Sequence, residues 1–74
     1  MPGRYYFHVV TAPVGWVVKN NGKVMSSHST KVLAVEAGRA LAKKYLPSSL
    51  YIHGTDGKID EEYSYGTDPF PPKG

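Results

Sequence analysis

The chain has 74 residues, no cysteine and a formal net charge of +3 at pH 7. This length indicates a single domain, of a size at which folding removes only roughly 60% of the extended chain's surface from water, so we expect marginal stability. The absence of cysteine excludes a disulfide framework, a thiolate metal site and a cysteine nucleophile. The N-terminal segment has neither the apolar run of a signal peptide nor the roughly 20 apolar residues of a membrane span, and we therefore expect a cytoplasmic protein.

The charge is distributed unevenly along the chain. Residues 1–53 carry seven basic side chains and one acidic one, a net charge of +6, whereas residues 54–74 carry two basic and five acidic ones, a net charge of −3. This asymmetry has two interpretations. In one, the first part of the chain forms a surface that binds a polyanion. In the other, the two oppositely charged parts complement each other within the fold or across a dimer.

The first part of the chain predicts three strands that follow one another as a meander. Residues 4–10 are a run of aromatic and β-branched side chains, which suit a pleated sheet, and a turn containing Pro and Gly follows them. Residues 16–19 resume this pattern. The next three residues, Asn-Asn-Gly at 20–22, are a strong hairpin signal because Asn and Gly tolerate the positive φ of tight turns. A third strand over residues 23–27 completes the meander.

Residues 30–46 alone carry a sustained helical period. Side chains at three- and four-residue steps fall on one face of a helix, and here they are Ala34, Ala37, Leu41 and Tyr45. We expect this face to pack on the sheet.

The ends of the predicted helix have recognisable signals. Ser29 or Thr30 supplies an N-cap oxygen, and Pro47 should end the helix at about residue 45 or 46. Gly38, on the inward side, has two interpretations: it allows the helix backbone to approach the sheet closely, or it is a tolerated glycine without a role.

The segment after the helix predicts a second hairpin, with strands over residues 50–53 and 59–63 and a Thr-Asp-Gly turn between them. Residues 64–74 contain three prolines and two glycines, and we expect a tail that straps the domain or extends from it. The predicted fold class is α+β, with a small antiparallel sheet of two hairpins (βββ-α-ββ) and one helix on one face. It forms a single domain over residues 1–63.

Strand alternation assigns the side chains to two faces of the predicted sheet, and one helix can cover only one of them. The covered side should contain Phe7, Val9, Trp16, Val18, Leu50 and Ile52. The other side should contain Tyr6, His8, Val10, Val17, Lys19, Tyr51 and His53.

The uncovered face mixes aromatic, histidine and lysine side chains, which predicts a binding surface. Such faces stack bases and contact phosphates in proteins that bind single strands, and they also form polar dimer interfaces or remain solvated. The candidate nucleic-acid-binding residues are Tyr6, His8, Lys19, Tyr51 and His53. A rival basic stripe, Arg39 and Lys43, lies on the predicted helix.

Catalysis and metal binding have little support in the pattern. His8, His28 and His53 fall on different predicted elements without the spacing of a metal site, and we expect no metal and no cofactor. The acidic run 60–62 alternates between faces and suits a charged edge strand that resists aggregation. We expect a protein that is not an enzyme.

The chain resembles a small bacterial and phage family catalogued as domain of unknown function 2188. The residues that carry this resemblance are Gly15-Trp16, Val18-Lys19, Thr30-Lys31, Glu36-Ala37, Ala40, Ala42, His53-Gly54, Asp56-Gly57, Ile59, Ser64-Tyr65-Gly66, Asp68-Pro69 and Pro71-Pro72-Lys73-Gly74. The chain departs from the family pattern at Leu33, where an acidic residue is expected. The resemblance implies a whole-domain architecture and no activity.

The meander, the Thr-Lys pair before the helix and the helix itself are also similar to the arm-type DNA-binding domains of phage integrases, whose sheet meets DNA. This similarity is at the level of fold and does not establish function. Together with the charge and the mixed face, it favours a small nucleic-acid-binding accessory protein for DNA or RNA. The alternative is a protein-interaction module or a homodimer.

Overall fold

The computed structural model describes residues 4–66. These residues form β1 (Tyr5–Thr11), β2 (Trp16–Asn20), β3 (Lys23–His28), α1 (Lys31–Lys44), β4 (Ser48–His53) and β5 (Ile59–Tyr65). Every predicted element is present, with bounds that differ from the prediction by at most two residues. Ser64 and Tyr65, which the prediction assigned to the tail, end β5. The tail from residue 67 onward, with its predicted strap, lies outside the described residues.

The five strands form one sheet in the order β3-β2-β1-β4-β5. The two predicted hairpin units are present as antiparallel pairs. The prediction of an antiparallel sheet is wrong in the centre, however, because β1 and β4 are parallel neighbours, with Phe7 opposite Leu50 and Val9 opposite Ile52. This pairing puts β1 and β4, whose buried side chains include Phe7, Val9, Leu50 and Ile52, under the helix. The polar β3 and the charged β5 become the edges.

The helix begins and ends where the sequence predicts. The Thr30 side-chain oxygen accepts a hydrogen bond from the Leu33 amide at 3.2 Å, and the Tyr45 amide closes the last turn on the Leu41 carbonyl at 2.9 Å. Ala34 is fully buried, and Leu41 and Tyr45 pack partly buried against the core. Ala37 does the same, so the predicted packing face is confirmed.

Gly38 lies at the closest approach of α1 to the sheet. A Cβ atom at this position would lie 2.9 Å from Leu50 Cδ1 and 3.2 Å from Val9 Cγ2. Contacts this short are rare for real side chains, which supports the interpretation that glycine here permits close packing.

The core lies between α1 and one face of the sheet. Its buried side chains are Phe7, Val9, Val18, Ala34, Ala42, Leu50 and Ile52, with Trp16 partly buried beside them. All six strand residues predicted for the covered side therefore belong to it. Within residues 4–66, no helix is long and apolar enough to cross a membrane.

Candidate nucleic-acid interface

We call the sheet face turned away from α1 the outer face. Residues that lie opposite each other on paired strands point to the same face, and His8 lies opposite Lys19 on β2 and Tyr51 on β4. Tyr6 and His53 share this face because each is two positions from one of these residues along its own strand. The structure thus brings together all five residues that the sequence predicted.

Four of these side chains form a continuous row across β1 and β4, which we call the aromatic row: Tyr6, Tyr51, His8 and His53. The ring centroids of Tyr6 and Tyr51 are 6.3 Å apart, with 18° between their planes, and those of Tyr51 and His8 are 5.1 Å apart, with 19° between them. The His8 and His53 centroids are 5.3 Å apart. Because these rings cover part of one another, exposure decides which of them a ligand can reach. Tyr6 is 43% exposed, whereas the other three are half-buried.

The two histidines of the row are joined by a hydrogen bond. His8 Nδ1 lies 3.1 Å from His53 Nε2, and His53 Nδ1 lies 3.1 Å from the Gly57 carbonyl oxygen. A carbonyl oxygen can only accept, so His53 Nδ1 carries a hydrogen and donates it to Gly57. In the uncharged pair, His53 Nε2 is then an acceptor and His8 Nδ1 donates to it.

The environment of His8 disfavours its charged form. Burial, and then the positive charge of His53 when that ring is protonated, hold the pKa of His8 below its ordinary value. His8 therefore accepts a proton less readily than an ordinary histidine does.

Two cationic side chains border the aromatic row. Lys19 is half-buried beside His8, and the one ion pair within residues 4–66, between Lys31 and Asp60, lies elsewhere. Arg4 lies at the other end of the row, where its Nη1 donates to the Ser48 carbonyl at 2.8 Å and to Ser49 Oγ at 3.2 Å.

Sequence reasoning missed Arg4 as a residue of this site. Arg4 lies two positions before Tyr6 in the predicted first strand, so alternation places both side chains on the same face. That two-residue step was the available signal. Ser49, which lies opposite Tyr6 and receives the Arg4 hydrogen bond, places the guanidinium on the outer face.

A carboxylate limits the site on one side. Glu62 of the edge strand β5 lies opposite Tyr51 on the same face. The positive potential of the outer face is therefore strongest toward β1 and β2, on the side of Lys19.

The rival stripe on α1 has a different environment. Both of its residues are exposed, and the Arg39 guanidinium lies over the Tyr63 ring, 5.4 Å from the centroid. Arg39 also borders an open groove of about 360 Å³ between α1 and β5, whose charged side chains are Lys31, Glu36, Arg39, Asp60 and Glu61. Acidic groups outnumber basic ones in this groove, so the groove itself has little attraction for a polyanion.

The third histidine lies apart from the other two. His28 is on the helix side of β3, where its Nε2 lies 2.9 Å from Ser26 Oγ. Across residues 4–66, no three side chains of His, Asp or Glu are grouped so that they could hold a metal ion.

A comparison with protein families identifies a relationship over most of the chain. A family model described as "Uncharacterized protein conserved in bacteria (DUF2188)" covers residues 7–65, most of the chain. No curated protein and no solved structure matches the chain, and the expected similarity to integrase arm-type domains gains no support from them.

Proposed function

Since the chain belongs to the DUF2188 family, whose description assigns no activity, we propose a function from the geometry of the outer face. The protein is a small non-enzymatic module that binds single-stranded nucleic acid, DNA or RNA, in the cytoplasm. Bases stack on the aromatic row while phosphates meet the cations beside it.

The observation that carries this proposal is the position of the aromatic row between two cations. Arg4 and Lys19 border the row, and its most exposed ring is that of Tyr6. Proteins that bind single strands combine these two features, because every base has a π-face and every nucleotide has a phosphate. Stacking on a side chain requires an unpaired base, so this arrangement favours single strands over duplexes.

The direct test is a binding titration by fluorescence anisotropy. Labelled single-stranded DNA, single-stranded RNA and duplex DNA are titrated with the protein at about 50 mM salt, where phosphate contacts contribute most. We expect binding to single strands, weaker binding to duplex, and an affinity that falls steeply as salt is raised. Failure to bind any of the three probes at this salt concentration would refute the proposal.

Two matched variants distinguish the outer face from the helix. Lys19→Gln should weaken binding and reduce the log-log salt slope by about 0.7 for a single strand, as expected for one lost phosphate contact. Lys43→Gln removes the same charge from the exposed surface of α1 and should change neither quantity. If Lys43→Gln weakens binding and Lys19→Gln does not, the ligand binds the helix instead.

A different feature favours a second function, association with another protein chain or with a second copy. The edge strand β3 exposes Val24 and Met25, at 49% and 41%. Edge strands with exposed apolar side chains can pair with another strand. Light scattering at high micromolar concentration tests self-association. A dimer that Met25→Lys converts to monomer would support this second function, and a monomeric wild-type protein would exclude the homodimer.

A further inference from the structure

The hydrogen bonds of the two histidines determine what the outer face offers to an anion. In the uncharged pair, His53 Nδ1 donates to Gly57 and His8 Nδ1 donates to His53 Nε2. His8 Nε2 then has no hydrogen and presents a lone pair. It has no hydrogen-bond partner within residues 4–66, and no side-chain nitrogen or oxygen there is both buried and unpaired, so His8 Nε2 reaches solvent. A lone pair at this point repels a phosphate oxygen.

One added proton reverses this polarity without breaking either hydrogen bond. If the proton goes to His8, its Nε2 becomes a donor and Nδ1 still donates to His53. The hydrogen between the two rings can instead be bonded to His53 Nε2, and His8 then carries its own hydrogen on Nε2. Both forms have the same three hydrogens: one on His53 Nδ1, one between the rings and one on His8 Nε2. In both forms His8 Nε2–H points to solvent and the pair carries one positive charge. A second added proton would place two N–H groups against each other and break the bond between the rings.

From this geometry we propose that the His8–His53 pair is a phosphate-binding subsite of the outer face, which takes up one proton from solvent when a phosphate binds. The subsite rests on the proposed function for its polymeric ligand, although its chemistry requires only a phosphate group. His8 Nε2–H donates to a phosphate oxygen and the charged pair attracts it, with Lys19 on the neighbouring strand as a second cation.

The surroundings of the pair are consistent with this coupling. The other ionisable side chains on the outer face and in the turn after β4 are Arg4, Tyr6, Lys19, Tyr51, Asp56, Lys58 and Glu62. Partial burial, and then the positive charge of His53 when that ring is protonated, disfavour a permanent charge on His8, and Lys19 lies opposite His8 on β2. A bound phosphate supplies the negative charge that offsets both effects, and it should raise the pKa of His8.

The sign of the resulting pH dependence follows from linkage. Because the complex holds the proton more tightly than the free protein does, the added affinity is present below the pKa of His8 in the free protein. It is lost as the pH rises through the higher pKa of the complex. Within that window, a single linked proton changes the affinity by at most about tenfold per pH unit.

The test uses two probes so that the subsite and the proposed function can fail separately. Inorganic phosphate is titrated into the full chain while NMR follows the imidazole signals between about pH 5 and 8. We expect phosphate to raise the pKa of His8 and to leave His28 unchanged. Absence of this shift would overturn the subsite, whatever the protein does with nucleic acid.

Binding of a single-stranded oligothymidylate is then measured at constant ionic strength over the same pH range. We expect affinity to rise as pH falls, with proton uptake that calorimetry detects as a dependence on the buffer's ionisation enthalpy. His8→Gln should remove this proton uptake, whereas His28→Gln should retain it. Binding that is independent of pH, or proton uptake that persists in His8→Gln, would also overturn the subsite. Failure of the oligonucleotide to bind, with the phosphate shift present, would refute the proposed function alone.

Discussion

At the scale of single residues, one glycine determines how closely the helix meets the sheet. The pattern left the role of Gly38 open, because its sequence position shows only that it faces inward. The structure adds the two side chains that a Cβ atom would contact, Leu50 and Val9, which are fully buried and cannot move aside freely.

Replacement of this glycine tests the close contact. Gly38→Ala should gain roughly 0.5–1 kcal/mol in helix propensity but lose about 1–3 kcal/mol through overpacking against Leu50, for a net loss of stability. Chemical denaturation measures the change. In a Leu50→Ala background the shorter of the two contacts is removed, and Gly38→Ala should there be much less destabilising. Equal destabilisation in both backgrounds would contradict the packing argument.

His8 supplies a second residue-scale prediction, on the stability of the free protein. Its pKa is lowered in the folded state, so the unfolded chain binds a proton more readily, and stability should decrease as the pH falls through the ordinary histidine range. Thermal melts at about pH 5 and 7.5 measure this difference. We expect His8→Gln to reduce it, and an unchanged difference in that variant would assign the effect to other groups.

At the scale of elements, the local sequence pattern predicts which helices and strands form but not which strands pair with each other. The helical period and the Asn-Gly and Asp-Gly turns identified the elements because helices and hairpins are encoded by neighbours in sequence. The parallel pairing of β1 with β4 joins segments about 40 residues apart, and no local signal specifies it. The polar composition of β3 and β5 was a usable hint, since such strands suit edges.

The same limit applies to the candidate site. Alternation placed Tyr6, His8, Lys19, Tyr51 and His53 on one face. The hydrogen bond between His8 and His53 depends on the β1–β4 register and was therefore missed. The two histidines lie on different strands, and only the pairing of β1 with β4 brings their side chains together.

The helix N-terminus offers a test at this scale. The sequence allowed Ser29 or Thr30 as the cap, and the structure assigns the role to Thr30. Thr30→Ala should cost about 1 kcal/mol of stability, because the Leu33 amide loses its acceptor. Ser29→Ala is the matched control and should be nearly neutral. Equal losses in the two variants would mean that the cap is shared.

At the scale of the whole molecule, the fold separates two kinds of charged surface. The groove between α1 and β5 mixes both signs, with an ion pair between Lys31 and Asp60 at 3.0 Å. The outer face carries Arg4 and Lys19 beside the aromatic row and has Glu62 at its β5 side. The ion pair is an instance of the charge complementarity within the fold that the uneven sequence predicts. A polyanion-binding surface on the outer face stays a prediction.

Stacking of bases on the outer face can be tested by removing its most exposed ring, that of Tyr6. Tyr6→Ala should weaken binding of a single strand by about 1–3 kcal/mol and affect duplex binding much less. Its exposed side chain can be removed with little loss of stability, which a thermal melt would verify. The matched control is Tyr63→Ala, on the helix side of β5, where stacking with the ligand is not expected. An equal effect of Tyr6→Ala on single strands and duplexes would argue against base stacking.

The most direct test of the central claim is to locate the ligand on the folded protein. Amide signals of the isotopically labelled chain are recorded by NMR while a single-stranded oligothymidylate is added at about 50 mM salt. We predict that the largest shifts fall on β1, β2 and β4, at Tyr6, His8, Lys19, Tyr51 and His53, and that the exposed side of α1 around Lys43 stays unchanged. Shifts centred on α1, or no shifts at all, would contradict the proposal that the outer face is a nucleic-acid interface.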